Sequence, residues 1–271
     1  MATSTRHDGR SNDQPRKQSI SFDRLARVDG SARFSFGHTS ALASVSGPIE
    51  VRLAAEQPTK ATFEVQVRPL SNVPGTDAKA MAASIRSSLE PALILTKNPR
   101  SLVQLVIQAV SPPKSAARAD ALLAAMINAS TMALLDAASV PMRGIVFGVA
   151  IGRLPGGILV VDPGEEEVEN LEASGCFAFL FAGQVRSECV WSSWKTRTGQ
   201  FDEEELYAAR QQGLEAALLI CQRSKRSFGD RKGEHAAQEE MLASWSSRSQ
   251  NVQQAADTEH SEEEDDEKME I

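Results

Sequence analysis

The sequence predicts an α+β fold. Stretches of two-residue alternation come in runs, only three stretches carry helical periodicity, and neither GxGxxG nor GxxxxGK[ST] occurs to mark a nucleotide-binding α/β unit. Strands that cluster instead of alternating one by one with helices favour antiparallel sheets with helices packed against them.

The first run opens at "RVDGSARFSFGHTSALASVSGP", Arg27 to Pro48, where Ala32, Phe34 and Phe36 alternate with Arg33 and Ser35. After Gly37-His38-Thr39 the alternation resumes at Ala41, Ala43 and Val45, so two half-buried strands flank a turn in which Gly accepts positive φ. "IEVRLAA" and "ATFEVQVRPL", with Phe63, Val65 and Val67 on one face, are expected as two more strands of one antiparallel run. "TDAKAMAASIRSSLEPALILTK" then places Met81, Ile85 and Leu89 four apart, which predicts a helix capped by Thr76 or Asp77 and kinked at Pro91. "PRSLVQLVIQAV" returns to strand alternation.

Residues 115–139 read as a long helix, apolar nearly all round and therefore expected at the centre of the domain. Four strand candidates follow: "RGIVFGVAIGRL", "ILVVD", "CFAFLF" and "VRSECVWSSW". Gly156 and Gly157 fall between the first two and, with Gly152 near the end of the first, suit a hairpin turn. The closing helix, "FDEEELYAARQQGLEAALLICQRSKRSF", crowds acids into its first turn and bases into its last, as the helix dipole favours, with Leu206, Leu214, Leu218 and Cys221 on one stripe.

The ends lack apolar periodicity. We expect a disordered arm over 1–19, a folded domain over 20–228 and a disordered acidic tail over 229–271. Residues 257–271 carry a net charge of −8, whereas the whole chain carries −7, so the other residues sum to +1. The acidity is that of a solvated tail, and the folded part is nearly neutral. No stretch is expected to span a membrane and no signal peptide is read, which implies an intracellular protein. Cys176, Cys189 and Cys221 are odd in number and form no CxxC pair, so buried thiols are expected. His7, His235 and His260 lie near or in the ends, leaving His38 without a second ligand, and no metal or cofactor is expected.

Several segments together resemble the RNase PH family: "DGSARFSFGHTSALASVSGPIEVR", "NPRSLVQLVIQAV", "INASTMALLDAASVPMRGIVFGVAIG" and "ILVVDPGEEE". The resemblance covers about residues 22–228 and, through Asn128 to Leu134, Val140 to Arg143 and Asp162-Pro163, leans toward a eukaryotic exosome ring subunit. It implies a single RNase PH-like domain, of the ribosomal protein S5 domain 2-like kind. It also implies a ring of six such domains around a channel for single-stranded RNA, with a role in 3′-to-5′ RNA processing and decay. As partners it implies the other RNase PH-like ring subunits, exosome component 8 as neighbour, cap subunits and hydrolytic exosome ribonucleases. Nucleus, nucleolus and cytoplasm are the implied locations.

Active members of the family are phosphorolytic. They use a Gly-Thr-Arg turn before the long helix to hold phosphate and two aspartates near a divalent metal, because two anions must be brought together. This chain has "VSPPKSAARAD" before the helix, where Lys114 and Arg118 supply charge but the prolines offer no N–H to an anion. After "ILVVD" come Glu165, Glu166, Glu167, Glu169 and Glu172, and the next strand opens on Ser174-Gly175-Cys176. No catalytic residue is therefore assigned. The alternative is a phosphate-dependent exoribonuclease built unconventionally on Lys114, Arg118 and the glutamates, and a third reading is a nucleic-acid-binding module outside the exosome.

RNA contact without sequence choice rests on cations at strand ends and loops. Arg68, Lys97 and Arg100 are the RNA-binding candidates, Arg100 first because it lies in the family's Pro-Arg pair. Arg27 and Arg33 are either solvated or contact residues. "CFAFLF" and "GIVFGVAIG" serve either the core or a subunit interface.

Overall fold

A computed structural model describes residues 6, 8–23, 25–71, 73–111, 119–183, 186–197 and 202–229. The chain divides into two units, 1–222 and 223–271, and in the second only 223–229 are described, as helix. The acidic tail, residues 112–118 with Lys114 and Arg118, and the first five residues lie outside the described residues.

The first unit has two sheets. The five-stranded sheet runs β1 (Gln18–Ser21), β2 (Gly30–Phe36), β3 (Thr39–Glu50), β5 (Ser101–Ala109), β4 (Thr62–Arg68). The four-stranded sheet runs β7 (Ile158–Val161), β6 (Ile145–Leu154), β8 (Ala173–Ala182), β9 (Arg186–Thr196). α1 spans Thr76–Leu89, α2 Asp120–Ala137, and residues 203–222 form α3.

α2 lies between the sheets, touching β2 and β3 on one side and β6 and β8 on the other. Fourteen of its eighteen residues are buried, from Asp120 through Leu134 with the exception of Ala121. By length and composition it could cross a membrane, contrary to the reading that no stretch comes close. Here its apolar surface is consumed by the two sheets. Two of its buried polar residues are paired with β6: Asn128 Nδ2 donates to the Gly148 carbonyl at 3.0 Å, Gly148 N–H returns a bond to Oδ1 at 2.7 Å, and Thr131 Oγ1 donates to Val146 O at 2.6 Å. A buried amide left unpaired would cost about 1–3 kcal/mol, so these bonds fix the helix against one register of the strand. On the other side Gly30 admits the helix backbone: a Cβ there would stand 2.3 Å from Ala137 N.

The alternation at β2 and β3 is as expected, with Ala32, Phe34, Phe36, Ala41, Ala43 and Val45 fully buried and Phe34 edge-on to Phe36 at 5.0 Å. Three local readings change. "IEVRLAA" is no separate strand, because β3 continues to Glu50 and a 3₁₀ turn follows at Leu53–Ala55. β4 pairs in parallel with β5, α1 providing the crossover, so the run is not wholly antiparallel. α1 starts after Gly75 without a side-chain cap and ends at Leu89, before Pro91 instead of bending around it.

α3 turns mainly small residues inward, and of the expected stripe Cys221 is buried while Leu206 and Leu214 are only half-buried. Ala209, Ala216, Ala217, Ile220 and Cys221 are buried, while Leu218 is 40% exposed. The Gly213 position lies against Phe179 and Val149, large sheet side chains that fill the space a leucine stripe would need.

Candidate functional site

β7 ends at Val161, and Asp162 follows with φ of 46°, a left-handed conformation that Asp tolerates better than most residues. Its N–H donates to Ala150 O at 2.8 Å, which fixes the residue beside β6. The carboxylate is 1% exposed and is gripped by Arg16: Nε donates to Oδ2 at 2.8 Å, Nη2 to Oδ1 at 2.6 Å, and the Arg16 N–H to Oδ2 at 2.9 Å. Burial alone would lower the Arg16 pKa, yet the bonds and charge of Asp162, with Glu165 and Glu167 nearby, raise it.

Five residues on, Glu167 is held in the same way. Arg6, its side chain 1% exposed, donates Nε to Oε1 at 2.8 Å and Nη2 to Oε2, while Nη1 donates to Val161 O at 2.7 Å. Gly164 N–H adds a bond to Oε2 at 2.7 Å. Burial pushes the Glu167 pKa up, but Arg6, the Gly164 N–H and the charge of Arg10 outweigh it and hold the group below the usual glutamate value. Arg10 bonds Asp8, at 2.5 Å, and the Gln14 carbonyl, at 2.8 Å. Val161 N–H donates to Asn12 O at 2.8 Å, so the segment lies along the outer edge of β7.

The described part of the expected arm is thus attached, and β1 begins at Gln18, inside the 1–19 segment. The reason is long-range pairing: a polar stretch with no periodicity is ordered by carboxylates some 150 positions away.

A cleft of about 280 Å³ opens beside these pairs, lined by Asp8, Arg16, His38 and Gly164 to Glu167. At the start of β8, Ser174 Oγ donates to Asp120 Oδ2 at 2.7 Å, both buried. The family resemblance implies a divalent ion near here, and the residues do not fit one. Asp162 and Glu167 are filled by guanidinium groups, and a serine occupies the start of the next strand. Among the described residues, no group of three His, Cys, Asp or Glu side chains is arranged to hold a metal. Cys176 is buried and its thiol is pushed well above its ordinary pKa by burial and by the charge of Asp120, a poor state for a nucleophile.

A second cluster is built from three loops. Ala61 N–H donates to Leu95 O, Arg100 N–H to Gln57 O, Ile94 N–H to Pro141 O and Arg143 N–H to Ala92 O, all within 3.1 Å. These bonds join the loops that carry Arg52, Lys60, Lys97, Arg100 and Arg143, among which Lys60 and Arg100 pair with the carboxylates of Glu90 and Glu56. Lys60 pairs with Glu90 at 3.0 Å, and burial, Lys60 and Arg86 act on Glu90 with the net result of a lowered pKa. Arg100 pairs with Glu56 at 3.4 Å yet keeps 71% of its side chain exposed. Lys97 is exposed in the 3₁₀ turn Leu95–Lys97.

The structure therefore brings two of the three RNA-binding candidates together. Arg68 is exposed at the far end of β4, six residues from the Thr62 end that adjoins the loops, or about 20 Å along the strand. Arg52, Lys60 and Arg143, scattered in sequence and not among the candidates, lie on the loops that these pairings join. Arg33 pairs with Asp23 at 2.9 Å, whereas Arg27 is exposed with φ of 63°. "GIVFGVAIG" and "CFAFLF" are almost wholly buried within this chain, which assigns them to its core.

The likeness of the chain to known proteins places this fold: the chain belongs to the RNase PH family. A profile described as "3' exoribonuclease family, domain 1" matches residues 14–139. The Arabidopsis thaliana protein named exosome complex exonuclease RRP46 homolog is 34% identical over 175 residues, 65% of this chain and 69% of the relative. Exosome complex component rrp46 of Schizosaccharomyces pombe is 39% identical over 113 residues, 42% of this chain and 48% of the relative, so the match spans about half that protein. Among solved structures, the crystal structure of rice Rrp46 superposes with a TM-score of 0.70 at 26% identity, covering 82% of this chain and 99% of the rice chain.

Proposed function

We propose that this chain is a non-catalytic subunit of an RNA exosome ring, which supports 3′-to-5′ RNA processing and decay through ring structure and by guiding single-stranded RNA. The observation that supports the reading is at the site: Asp162 is paired with Arg16 and Ser174 with Asp120, an arrangement that leaves little to hold a divalent ion. The exposed cations around Arg100 are suited to phosphate contact without base choice. The relatives named as exosome components support membership of such a ring.

The partners in this reading are the other RNase PH-like ring subunits, with exosome component 8 as neighbour, cap subunits and hydrolytic ribonucleases. The locations are nucleus, nucleolus and cytoplasm. We keep 20–228 as the RNase PH-like domain, with the attached residues before Ile20 belonging to the same fold. In an assembled ring, Arg100→Ala with Lys97→Ala is expected to shorten the RNA length protected from nuclease. Unchanged protection would remove these residues from the channel, and failure to co-purify with ring subunits would favour an RNA-binding module acting alone.

A further inference from the structure

We propose that the free edge of β4 is a self-association site, at which two copies of this chain pair their β4 strands antiparallel about a two-fold axis through Gln66. Three observations carry it. Among the described residues, β4 is the last strand of its sheet and is paired on one side only, with β5. The strand reads Thr62-Phe63-Glu64-Val65-Gln66-Val67-Arg68, and about Gln66 it is its own complement. In the register centred there, Glu64 stands opposite Arg68 of the second copy, Val65 opposite Val67, and Gln66 opposite itself. Glu64 and Arg68 are both exposed, and among the described residues neither is in an ion pair; Glu64 only accepts a bond from Gln66 Nε2 at 2.9 Å.

Edge strands are ordinarily guarded by charge that repels a further strand. Here the two charges have opposite signs and sit two positions either side of the centre, so a second copy meets attraction and not repulsion across the strands. The register is specified as well. A slip of one residue would turn the core face of the second copy outward, and a slip of two would lose both charge pairs. Apolar surface is covered in the same act: Val65 is half-buried, and Leu70, 52% exposed just past the strand, stands opposite Thr62 of the second copy. α1 does not obstruct the approach. On the side opposite its contacts with β4, α2 and β9 it presents Thr76, Ala80, Ala83 and Ser87, small enough for a second α1 to lie close beside it. Because the axis uses the same patch on both copies, the assembly closes at two. The inference stands whether or not the chain binds RNA.

The test follows the oligomeric state of the full chain by analytical ultracentrifugation over a concentration series, where a reversible monomer–dimer equilibrium is expected. Glu64→Arg and Arg68→Glu each set like charges opposite one another and are expected to weaken dimerisation about tenfold or more. The two substitutions combined re-form both pairs and are expected to recover it, which also serves as the folding control for each. Gln66→Cys places two thiols opposite each other with Cα atoms about 4.5–5.5 Å apart, within disulfide reach, and is expected to cross-link on mild oxidation. Glu64→Cys, displaced from the axis, is not. The proposal is overturned if the unmodified chain stays monomeric throughout the series, if the double reversal fails to recover what a single reversal loses, or if Gln66→Cys links no better than Glu64→Cys.

Discussion

The arginines at the end of β7 and those around the 51–61 and 90–100 loops are the same residue type in opposite physical states. Arg6 is buried and Arg16 largely so, and they spend their donors on carboxylates and carbonyls of their own chain. Arg100 reaches one carboxylate at 3.4 Å and leaves most of its side chain in water. A cation that is buried and paired has little left for a ligand, whereas an exposed one remains free to meet phosphate. The first region looks like an active site by position but is joined like a core; the second resembles no enzyme site but presents charge.

The comparison breaks most visibly at Asp162. Asp162→Ala leaves Arg16 buried without its carboxylate, and the expected loss is about 3–5 kcal/mol, measured by denaturant unfolding. A loss under about 1 kcal/mol would mean that Arg16 swings to solvent and the burial argument is wrong.

Acid pH sharpens the same contrast. The folded-state pKa of Glu167 is depressed, so its contribution is complete above the ordinary glutamate value and disappears as pH falls through the lower folded value. Exchange protection of residues 8–17 is expected to hold through mildly acidic pH and drop below the usual glutamate range. Glu167→Gln should remove this dependence; an unaltered acid profile in that variant would assign it to another group.

Smaller effects are expected at the basic loops. Arg100→Ala and Lys97→Ala should each change unfolding stability by less than about 0.5 kcal/mol. Each should also reduce the salt dependence of single-stranded RNA binding by about 0.7 in the log-log slope if it contacts one phosphate. Arg68→Ala, about 20 Å away along β4, should leave stability equally unaltered and affect RNA binding independently of Arg100. Non-additive loss for Arg68 with Arg100 would contradict this separation.

Much of the fold was legible because burial leaves local marks. β2 and β3 face the core on one side only, so Phe34, Phe36, Ala41 and Ala43 record a period of two, and α2 is buried on every side and reads as continuously apolar. Pairing direction leaves no such mark: β4 has the same alternation whether it runs parallel or antiparallel to β5. The small face of α3 was hidden because leucines dominate its pattern, while the fit depends on Phe179 in a distant strand. The attachment of the N-terminal segment was illegible for the same reason. "RHDGRSNDQPR" has no periodicity, and what orders it is the carboxylates of Asp162 and Glu167, which only the tertiary structure brings near. At the candidate site the absence of an acid in Ser174-Gly175-Cys176 at the start of β8 could be read directly, but the pairing of Asp162 with Arg16 could not.

The most direct test of the central claim is a decay assay on RNA with a single-stranded 3′ end, with magnesium, with and without inorganic phosphate, on this chain alone and reconstituted with ring partners. A stable ring that releases no nucleoside diphosphates attributable to this chain is the predicted result. Phosphate-dependent release that disappears when Glu165, Glu166 and Glu167 are changed to Gln would make the chain an enzyme and contradict the account.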